Sequence, residues 1–374
     1  MNNSNYLNLD ILRSLAVLCV VAQHLWHQCV NVHLCAYSST LNDMLSNLSF
    51  TGVMFFFVHT CLVLMLSMGR SPDTHIAGAF LVRRAFRIYP LAWATILLAL
   101  MTGLTDHPEA SWHILGWRGV ASNFLLVQNM TRSFPSVVGP LWSLPWEVQM
   151  YLVLPLFFVV LRKFDRLFVV FALWAGAVLV AVLATQTGAP RAFHAVVFPP
   201  MFIGGMVAYR LLARTAEKRR FSLPFWAWPP FVCGLFALQA WLMRGRSFER
   251  PAGAVINSSV CLLLALSIPA FDQMRLRWLA WPAQQIAKYS YGIYLLHVPV
   301  LIFVMFHLPR MSMAATVAVS LSLITLVSVG CFHLIEDPLI RIGKRWAASI
   351  QAPTCQQGIA AARPALLFPA TRPY

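Results

Sequence analysis

Acidic residues are scarce in this sequence. The 374-residue chain has 12 Asp and Glu against 28 Lys and Arg, and its charged share of 11% is well below the roughly 25% of soluble globular domains. Hydrophobic residues make up 59% of the chain, and the mean hydropathy is +0.69. This composition excludes an ordinary soluble domain and predicts a polytopic membrane protein.

Three further absences narrow the range of functions. The eight cysteines form no Cys-x-x-Cys pair, so no redox framework is indicated. The sequence contains no nucleotide-binding glycine-rich loop and no internal repeat. The net charge of +16 would suggest nucleic acid if it lay on one soluble face. The basic residues lie instead in the short gaps between apolar stretches, so we predict no nucleic-acid partner.

Ten apolar segments are each about as long as the 20 residues that cross ~30 Å of hydrocarbon. We therefore predict an all-α, polytopic membrane protein with about ten transmembrane helices. The predicted spans are 11–27, 48–67, 88–105, 141–161, 167–185, 194–212, 225–243, 253–271, 289–308 and 313–335.

The basic residues between these spans predict the orientation of the chain. With the N-terminus in the cytoplasm, 21 of the 28 basic residues fall on the cytoplasmic side, provided that 119–130 is external or re-entrant. Both termini are then cytoplasmic, and anionic lipid is expected at the basic rim. Residues 1–346 are predicted to form the membrane domain, and 347–374, rich in Pro and Ala, a short disordered cytoplasmic tail.

Glu147 is the one acidic residue well inside an apolar segment. An ionisable group at membrane depth costs at least ~2.5 kcal/mol, so it marks a polar cavity. Arg13 and His24 lie in the first span, and counting 1.5 Å per residue from each predicted edge puts His24 and Glu147 at a similar depth. A base oriented by an acid would account for such a pair, whereas the simpler interpretation is two buried polar groups that hold helices together.

Arg83, Arg84 and Arg87 lie at the inner end of the third span. Arg84 and Arg87 share a helix face, where guanidinium groups can bind phosphate, although a lipid anchor is equally consistent with charge alone. His297 projects into the bilayer from the inner side and is a possible member of the cavity.

The other histidines and cysteines give weaker signals. The cluster of His24, His27, Cys29, His33 and Cys35 has no standard zinc spacing, so we predict no metal. A disulfide between Cys29 and Cys35 stays open. His59 and His333 are interpreted as packing residues.

Six sequence blocks, in order, resemble the acyltransferase 3 family of integral membrane acyltransferases. Each block is quoted by its end residues: Leu9 to His24, with ten residues between Arg13 and His24; Gly52 to Val58; Arg84 to Pro90; Leu141 to Tyr151, which reads Leu-Trp-Ser-Leu-Pro-Trp-Glu-Val-Gln-Met-Tyr; Ser290 to His297; and Glu336 to Ile340. Ser14 stands where the family usually has Gly, and His59-Thr60-Cys61 replaces the common Ser-Gly-Phe.

The resemblance implies acyl transfer, commonly of acetyl, from cytoplasmic acyl-CoA to a carbohydrate hydroxyl on a surface polysaccharide or lipopolysaccharide, in a bacterial inner membrane. It implies catalytic roles for Arg13, His24 and Glu147 and donor binding by Arg84 and Arg87, with Arg83 beside them. Further substrate contacts are expected from the late motifs: Trp142, Ser143, Gln149, Tyr151 and His297. The family's optional extracytoplasmic hydrolase-like domain is not expected.

Two mechanisms and two competing functions remain open, and one of the competing functions is a non-catalytic membrane protein that binds glycan or lipid. His24 can take the proton from the acceptor hydroxyl, or it can carry the acyl group transiently as a nucleophile. A proton-coupled transporter of an anionic or acylated small molecule would use His24 and Glu147 as a relay instead. The acceptor, the acyl chain length and the oligomeric state are not encoded in any motif.

Overall fold

The computed structural model describes residues 6–71, 75–105, 112–130, 135–164, 166–186, 196–218 and 222–351, and within them it confirms the all-α prediction. Besides helices and turns, this part of the chain contains one isolated bridge, between Leu223 and Phe271. The helices are α1 Leu7–Asn31, α2 Ser39–Gly69, α3 Ile76–Thr102, α4 Trp112–Phe124, α5 Leu144–Lys163, α6 Leu167–Gln186, α7 Pro199–Lys218, α8 Trp228–Leu242, α9 Pro251–Ser267, α10 Arg277–His307, α11 Met313–Cys331 and α12 Asp337–Gln351.

Every predicted span corresponds to a helix. In the described part of the chain, nine helical segments are long and apolar enough to cross a membrane, so the chain is a multi-pass membrane protein. The span predicted at 194–212 corresponds to α7, which is not among the nine. Its Met201, Phe202 and Met206 are nevertheless completely buried, because α7 packs against α2, α6 and α9.

The helix ends that the charge pattern assigns to the cytoplasm lie together in the structure. At the start of α1, the Asn8 side chain donates to the carbonyl of Asp272 before α10 (2.9 Å), and Trp228 at the start of α8 donates to the carbonyl of Asn8 (2.9 Å). The Arg210 guanidinium on α7 donates to the carbonyl of Phe164 after α5 (3.2 Å). The helices therefore alternate in direction as the predicted topology requires.

The segment 112–130, which includes the stretch 119–130 predicted to be external or re-entrant, returns without crossing the bundle. Its helix α4 has 13 residues and bends at Gly116, where φ is 58°. The Trp93 indole donates to the carbonyl of Phe124 (2.8 Å), and the Tyr89 hydroxyl donates to that of Leu125 (3.3 Å). Both tryptophan and tyrosine lie near the middle of α3, so the segment enters the bundle and turns back.

Helix α2 crosses its neighbours at two glycines. A Cβ atom on Gly52 would lie 2.7 Å from the carbonyl oxygen of Ala16 on α1, and one on Gly205 would lie 2.5 Å from that of Val58 on α2. Small residues permit such close backbone contact between membrane helices. The resulting α1–α2 contact fixes the two helices that line most of the candidate site.

A π-helical turn, Phe332–Glu336, joins α11 to α12. Pro338 follows it, and proline supplies no N–H for the regular i to i−4 ladder, which accounts for the widened turn before it. Helix α12 then packs on α3, where a Cβ on Gly343 would meet Phe86 at 2.5 Å. It continues through 347–351, the first residues of the predicted tail, and 352–374 lie outside the described residues.

Candidate functional site

Two cavities lie in the bundle between α1, α2, α5 and α10, and the second also reaches α3. We call them the outer and inner cavities after the predicted external and cytoplasmic sides. On α1, α2 and α5, the residues that line only the outer cavity lie nearer the predicted external end. The wall that the cavities share consists of Arg13, Phe56, Glu147 and Tyr291.

Glu147 occupies this shared wall. The Tyr151 hydroxyl donates a short hydrogen bond to Glu147 Oε1, and the carboxylate is only 6% exposed. The Arg13 guanidinium also lines both cavities and lies 5.4 Å from the centre of the Phe56 ring. A buried carboxylate and a buried guanidinium thus stand at the junction, where each offsets the cost of burying the other's charge.

The inner cavity is cationic. Arg84 and Arg87 line it together with Arg13. Arg87 Nη1 lies 2.6 Å from Glu336 Oε2 on the π-helical turn, and its guanidinium lies 5.5 Å from the Tyr291 ring centre. Arg84 Nε is buried and has no hydrogen-bond partner among the described residues. Three guanidinium groups against the carboxylates of Glu147 and Glu336 leave an excess of one positive charge, which suits an anionic ligand.

Arg83 does not join this set in the described structure. Its Nη2 lies 3.4 Å from Ser71 Oγ at the end of α2, and neither cavity is lined by it. Adjacent residues lie about 100° apart around an α-helix, and here Arg84 faces the inner cavity whereas Arg83 contacts the end of α2.

Two histidines stand side by side beyond the outer cavity. The rings of His24 and His297 are T-shaped, with centroids 4.9 Å apart. Nδ1 of His24 lies 2.9 Å from the carbonyl oxygen of Val20, and Nδ1 of His297 lies 3.0 Å from that of Ile293. Because a carbonyl oxygen only accepts, each Nδ1 carries a proton, and the neutral form of each ring has its lone pair at Nε2. Both rings are therefore held in the tautomer that a base or nucleophile requires.

The histidine pair continues the outer cavity by one helical turn. Val20 and Tyr294 line that cavity, and His24 and His297 follow them on α1 and α10. The Tyr294 hydroxyl lies 2.8 Å from Ser143 Oγ, which is one turn before Glu147 on α5. Polar groups thus lead from Glu147 to the two histidines.

The expectation that His24 and Glu147 share one depth is wrong. Glu147 lies beside Arg13, and His24 is eleven residues farther along α1, a rise of about 16 Å. The estimate took Leu141 as the outer membrane edge. In the structure Leu141 belongs to a 3-10 turn, Gly139–Trp142, and is completely buried, so α5 begins inside the bundle.

The remaining predicted contacts divide into two groups. Ser143 lines the outer cavity and Tyr151 the inner one. Trp142 packs instead on Phe50, with ring centroids 6.2 Å apart, and Gln149 exchanges hydrogen bonds with Asn129 at 3.0 and 3.3 Å. Neither Trp142 nor Gln149 lines the outer or the inner cavity, and each contacts a neighbouring segment instead.

The interpretation of His59 as a packing residue is corrected by the structure, because His59 lines the inner cavity. It follows Phe56 by three residues and so shares a helix face with it, but only the packing of α2 shows that this face lines the cavity. The cysteines predicted as a possible disulfide, Cys29 and Cys35, are free thiols. No group of three His, Cys, Asp or Glu side chains able to hold a metal ion occurs among the described residues.

Comparison with known proteins gives one family and one relative. The model of an acyltransferase domain, the acyltransferase 3 family, matches residues 6–334. A peptidoglycan O-acetyltransferase, OatA of Listeria monocytogenes, is 27% identical over 173 residues. That match covers 42% of this chain and 25% of the relative. No solved structure matches the chain. Because the family model spans nearly all of the helical bundle, including both cavities, this multi-pass membrane protein belongs to the acyltransferase 3 family.

Proposed function

We propose that this protein is a membrane O-acyltransferase that moves an acyl group, acetyl in the first instance, from cytoplasmic acyl-CoA to a hydroxyl of a carbohydrate acceptor. The observation that carries the proposal is the order of groups across the bundle. Cationic side chains line one end, Arg13 and Glu147 stand at the junction, and two histidines lie beyond the other end. A donor from one side and an acceptor from the other can meet between these ends.

The inner cavity fits the donor. Coenzyme A carries phosphates, and planar guanidinium groups bind phosphate in bidentate fashion. Arg84 has a buried nitrogen without a partner among the described residues, and a bound phosphate would satisfy it. Arg87 is already paired with Glu336, so it would contribute charge and position more than new hydrogen bonds.

His24 is the base in the simpler of the two mechanisms. Its Nε2 takes the proton from the acceptor hydroxyl while the hydroxyl oxygen attacks the thioester carbonyl carbon. The C–S bond breaks as the C–O ester bond forms, and the thiolate of coenzyme A recovers the proton from the imidazolium. In the alternative, Nε2 itself attacks the thioester carbonyl carbon, and the C–S bond breaks to release the thiolate of coenzyme A. The hydroxyl oxygen then attacks the acyl carbon, the C–N bond breaks as the C–O ester bond forms, and the hydroxyl proton passes to the thiolate.

Arg13 and Glu147 act at the junction of the cavities in this proposal. The guanidinium of Arg13 can attract the diphosphate of the donor, whereas the thioester reacts farther along α1, beside His24. Glu147 accepts a hydrogen bond from the Tyr151 hydroxyl and places a negative charge in the wall that Arg13 also lines. The role first expected for Glu147, orienting His24, passes to contacts nearer the ring, namely the carbonyl of Val20 and the edge of His297.

The acceptor class and location are the finer parts of the proposal. The relative from Listeria monocytogenes is named for O-acetylation of peptidoglycan. By extension, a surface polysaccharide, a lipopolysaccharide or another cell-wall glycan would receive the acyl group at the external face of a bacterial inner membrane. Glycan mass spectrometry of cells with and without the gene tests this: one acyl mass increment is lost on one sugar, whereas an unchanged glycan profile contradicts the proposal.

Thioester consumption separates this function from transport. Purified protein in lipid nanodiscs should release free coenzyme A from acetyl-CoA when glycan extract is added, and the His24→Ala variant should not. A proton-coupled transporter would leave the thioester intact in both preparations.

A further inference from the structure

His59 lines the inner cavity but takes no part in the pairing of charged side chains there. It lies on α2, is 5% exposed, and stacks on Phe56 with ring centroids 6.0 Å apart and planes at 19°. Phe56 in turn contacts the Arg13 guanidinium. His59 is thus part of the wall that leads to the junction, and it is not in a remote packing layer.

Its hydrogen bonding is incomplete. Nδ1 of His59 is buried and has no hydrogen-bond partner among the described residues. Leaving a buried polar nitrogen unpaired costs free energy, and a native structure normally gives such a group a partner. A polar ligand in the inner cavity would provide one. The neighbouring Thr60 also lines the cavity, so two uncharged hydrogen-bonding side chains lie on this wall.

The walls of the inner cavity therefore differ in chemistry. Helices α1 and α3 present guanidinium groups, whereas α2 presents an imidazole and a hydroxyl. Phosphate oxygens accept hydrogen bonds and match guanidinium groups. Amide and hydroxyl groups both donate and accept, and they match a neutral imidazole and a threonine hydroxyl. The pantetheine arm of coenzyme A carries amide and hydroxyl groups and no charge.

We propose that His59, with Thr60, binds the uncharged pantetheine arm of the acyl donor while Arg84 binds its phosphates. This inference rests on the proposed function, since it requires acyl-CoA in the inner cavity. His59 is then a residue that determines donor specificity. This chain has His59-Thr60-Cys61 where the common sequence of the family is Ser-Gly-Phe. An imidazole reaches farther into the cavity than a serine hydroxyl and narrows the space beside the arm.

The test measures Kd for coenzyme A and for pantetheine, which lacks the nucleotide and diphosphate, by competition with radiolabelled acetyl-CoA on purified full-length protein. The variant His59→Ser should weaken both ligands by a similar factor, about tenfold for one lost buried hydrogen bond. Arg84→Ala should weaken coenzyme A alone. His59→Asn should recover part of the affinity, because it restores a donor and an acceptor, and Thr60→Val should weaken both ligands as well.

Controls make each outcome decisive. His333→Ser removes a histidine that contacts Tyr289 away from both cavities and should change neither Kd. Melting temperatures of all variants separate lost binding from lost folding. The proposal that His59 and Thr60 bind the pantetheine arm would be overturned by either of two results. In one, folded His59→Ser and Thr60→Val bind both ligands as tightly as wild type; in the other, these variants weaken the binding of coenzyme A alone. Absence of any coenzyme A binding to the wild-type protein would refute the proposed function itself.

Discussion

Polar groups inside the membrane are stabilised differently at the two ends of the candidate site. At the inner end, charged side chains compensate one another: Arg87 pairs with Glu336, and Arg13 stands beside Glu147. At the outer end, uncharged histidines are held by backbone carbonyls of their own helices. Excess charge suits the binding of an anion, whereas a fixed neutral ring with a lone pair suits proton or acyl transfer. Under the proposed function, this difference places donor binding at one end and chemistry at the other.

The strongest test of this division removes the base. His24→Ala should lower acyl transfer at least ~10²-fold, the usual contribution of a general base, while expression and membrane insertion stay normal. Turnover in nanodiscs, measured as free coenzyme A release, gives the result. Near-normal turnover in the purified variant would rule out both the base and the acyl-histidine mechanisms and would leave the outer end without chemistry.

Glu147→Gln tests the junction between the two ends. The substitution keeps the shape of the side chain but removes the charge that faces Arg13, so Arg13 is left less well compensated in a buried wall. We expect turnover to fall about tenfold or more, with the melting temperature lowered by a few degrees. Tyr151→Phe is the matched control, because it removes only the hydrogen bond to the carboxylate and should cost less. Equal activity of Glu147→Gln and wild type would reduce this residue to packing.

Removal of the Arg84 side chain should change the KM for one substrate only. Arg84→Ala is expected to raise the KM for acyl-CoA about tenfold through lost phosphate contacts, with little change in the KM for the acceptor. Arg83→Ala is the control, because Arg83 contacts Ser71 and lines neither cavity of the described structure. If the two variants behaved alike, or if both substrates weakened equally, the lipid-anchor interpretation of this motif would be preferred.

A substitution at His297 tests the role of the second histidine at the outer end of the site. His297→Phe keeps an aromatic ring at an edge-to-face contact with His24 but removes the ring nitrogens, so we expect a severalfold loss of kcat and no change in the KM for acyl-CoA. A loss as large as that of His24→Ala would make the two histidines joint members of the catalytic machinery. An unchanged kcat would restrict His297 to packing.

The smallest effect on activity is expected from cysteines that report sidedness. In a background where Cys29 and Cys35 are replaced by serine, Glu249→Cys should react in intact cells with a membrane-impermeant thiol reagent and Arg70→Cys should not. Both positions are exposed, at opposite ends of the helices, and turnover should stay near wild type. Labelling of position 70 from outside would mean that the inner cavity faces the outside of the cell and the outer cavity faces the cytoplasm.

The sequence was sufficient for features that depend on local pattern. Hydropathy gave all ten predicted helices, and the i, i+3 spacing of Arg84 and Arg87 placed both on one face. It failed where tertiary packing decides. The depth of Glu147 depended on the buried 3-10 turn before α5, and the inner cavity position of His59 depended on how α2 is rotated against α1.

The same limit applies to motif membership. Trp142 and Gln149 belong to the block that contains Glu147, but α-helical geometry turns them toward Phe50 and Asn129. A shared motif therefore predicts that residues lie near the site. Only the helix rotation shows which of them line it.

Binding of acetyl-CoA to two variants tests most directly whether the inner end binds the donor and the outer end performs the chemistry. The measurement is the Kd of acetyl-CoA, by isothermal titration calorimetry, for wild type, His24→Ala and the double variant of Arg84→Ala and Arg87→Ala, all in nanodiscs. The account predicts that His24→Ala binds acetyl-CoA as tightly as wild type although it does not turn over, and that the double arginine variant binds at least about tenfold more weakly. Loss of binding in His24→Ala together with wild-type affinity in the arginine variant would contradict the account.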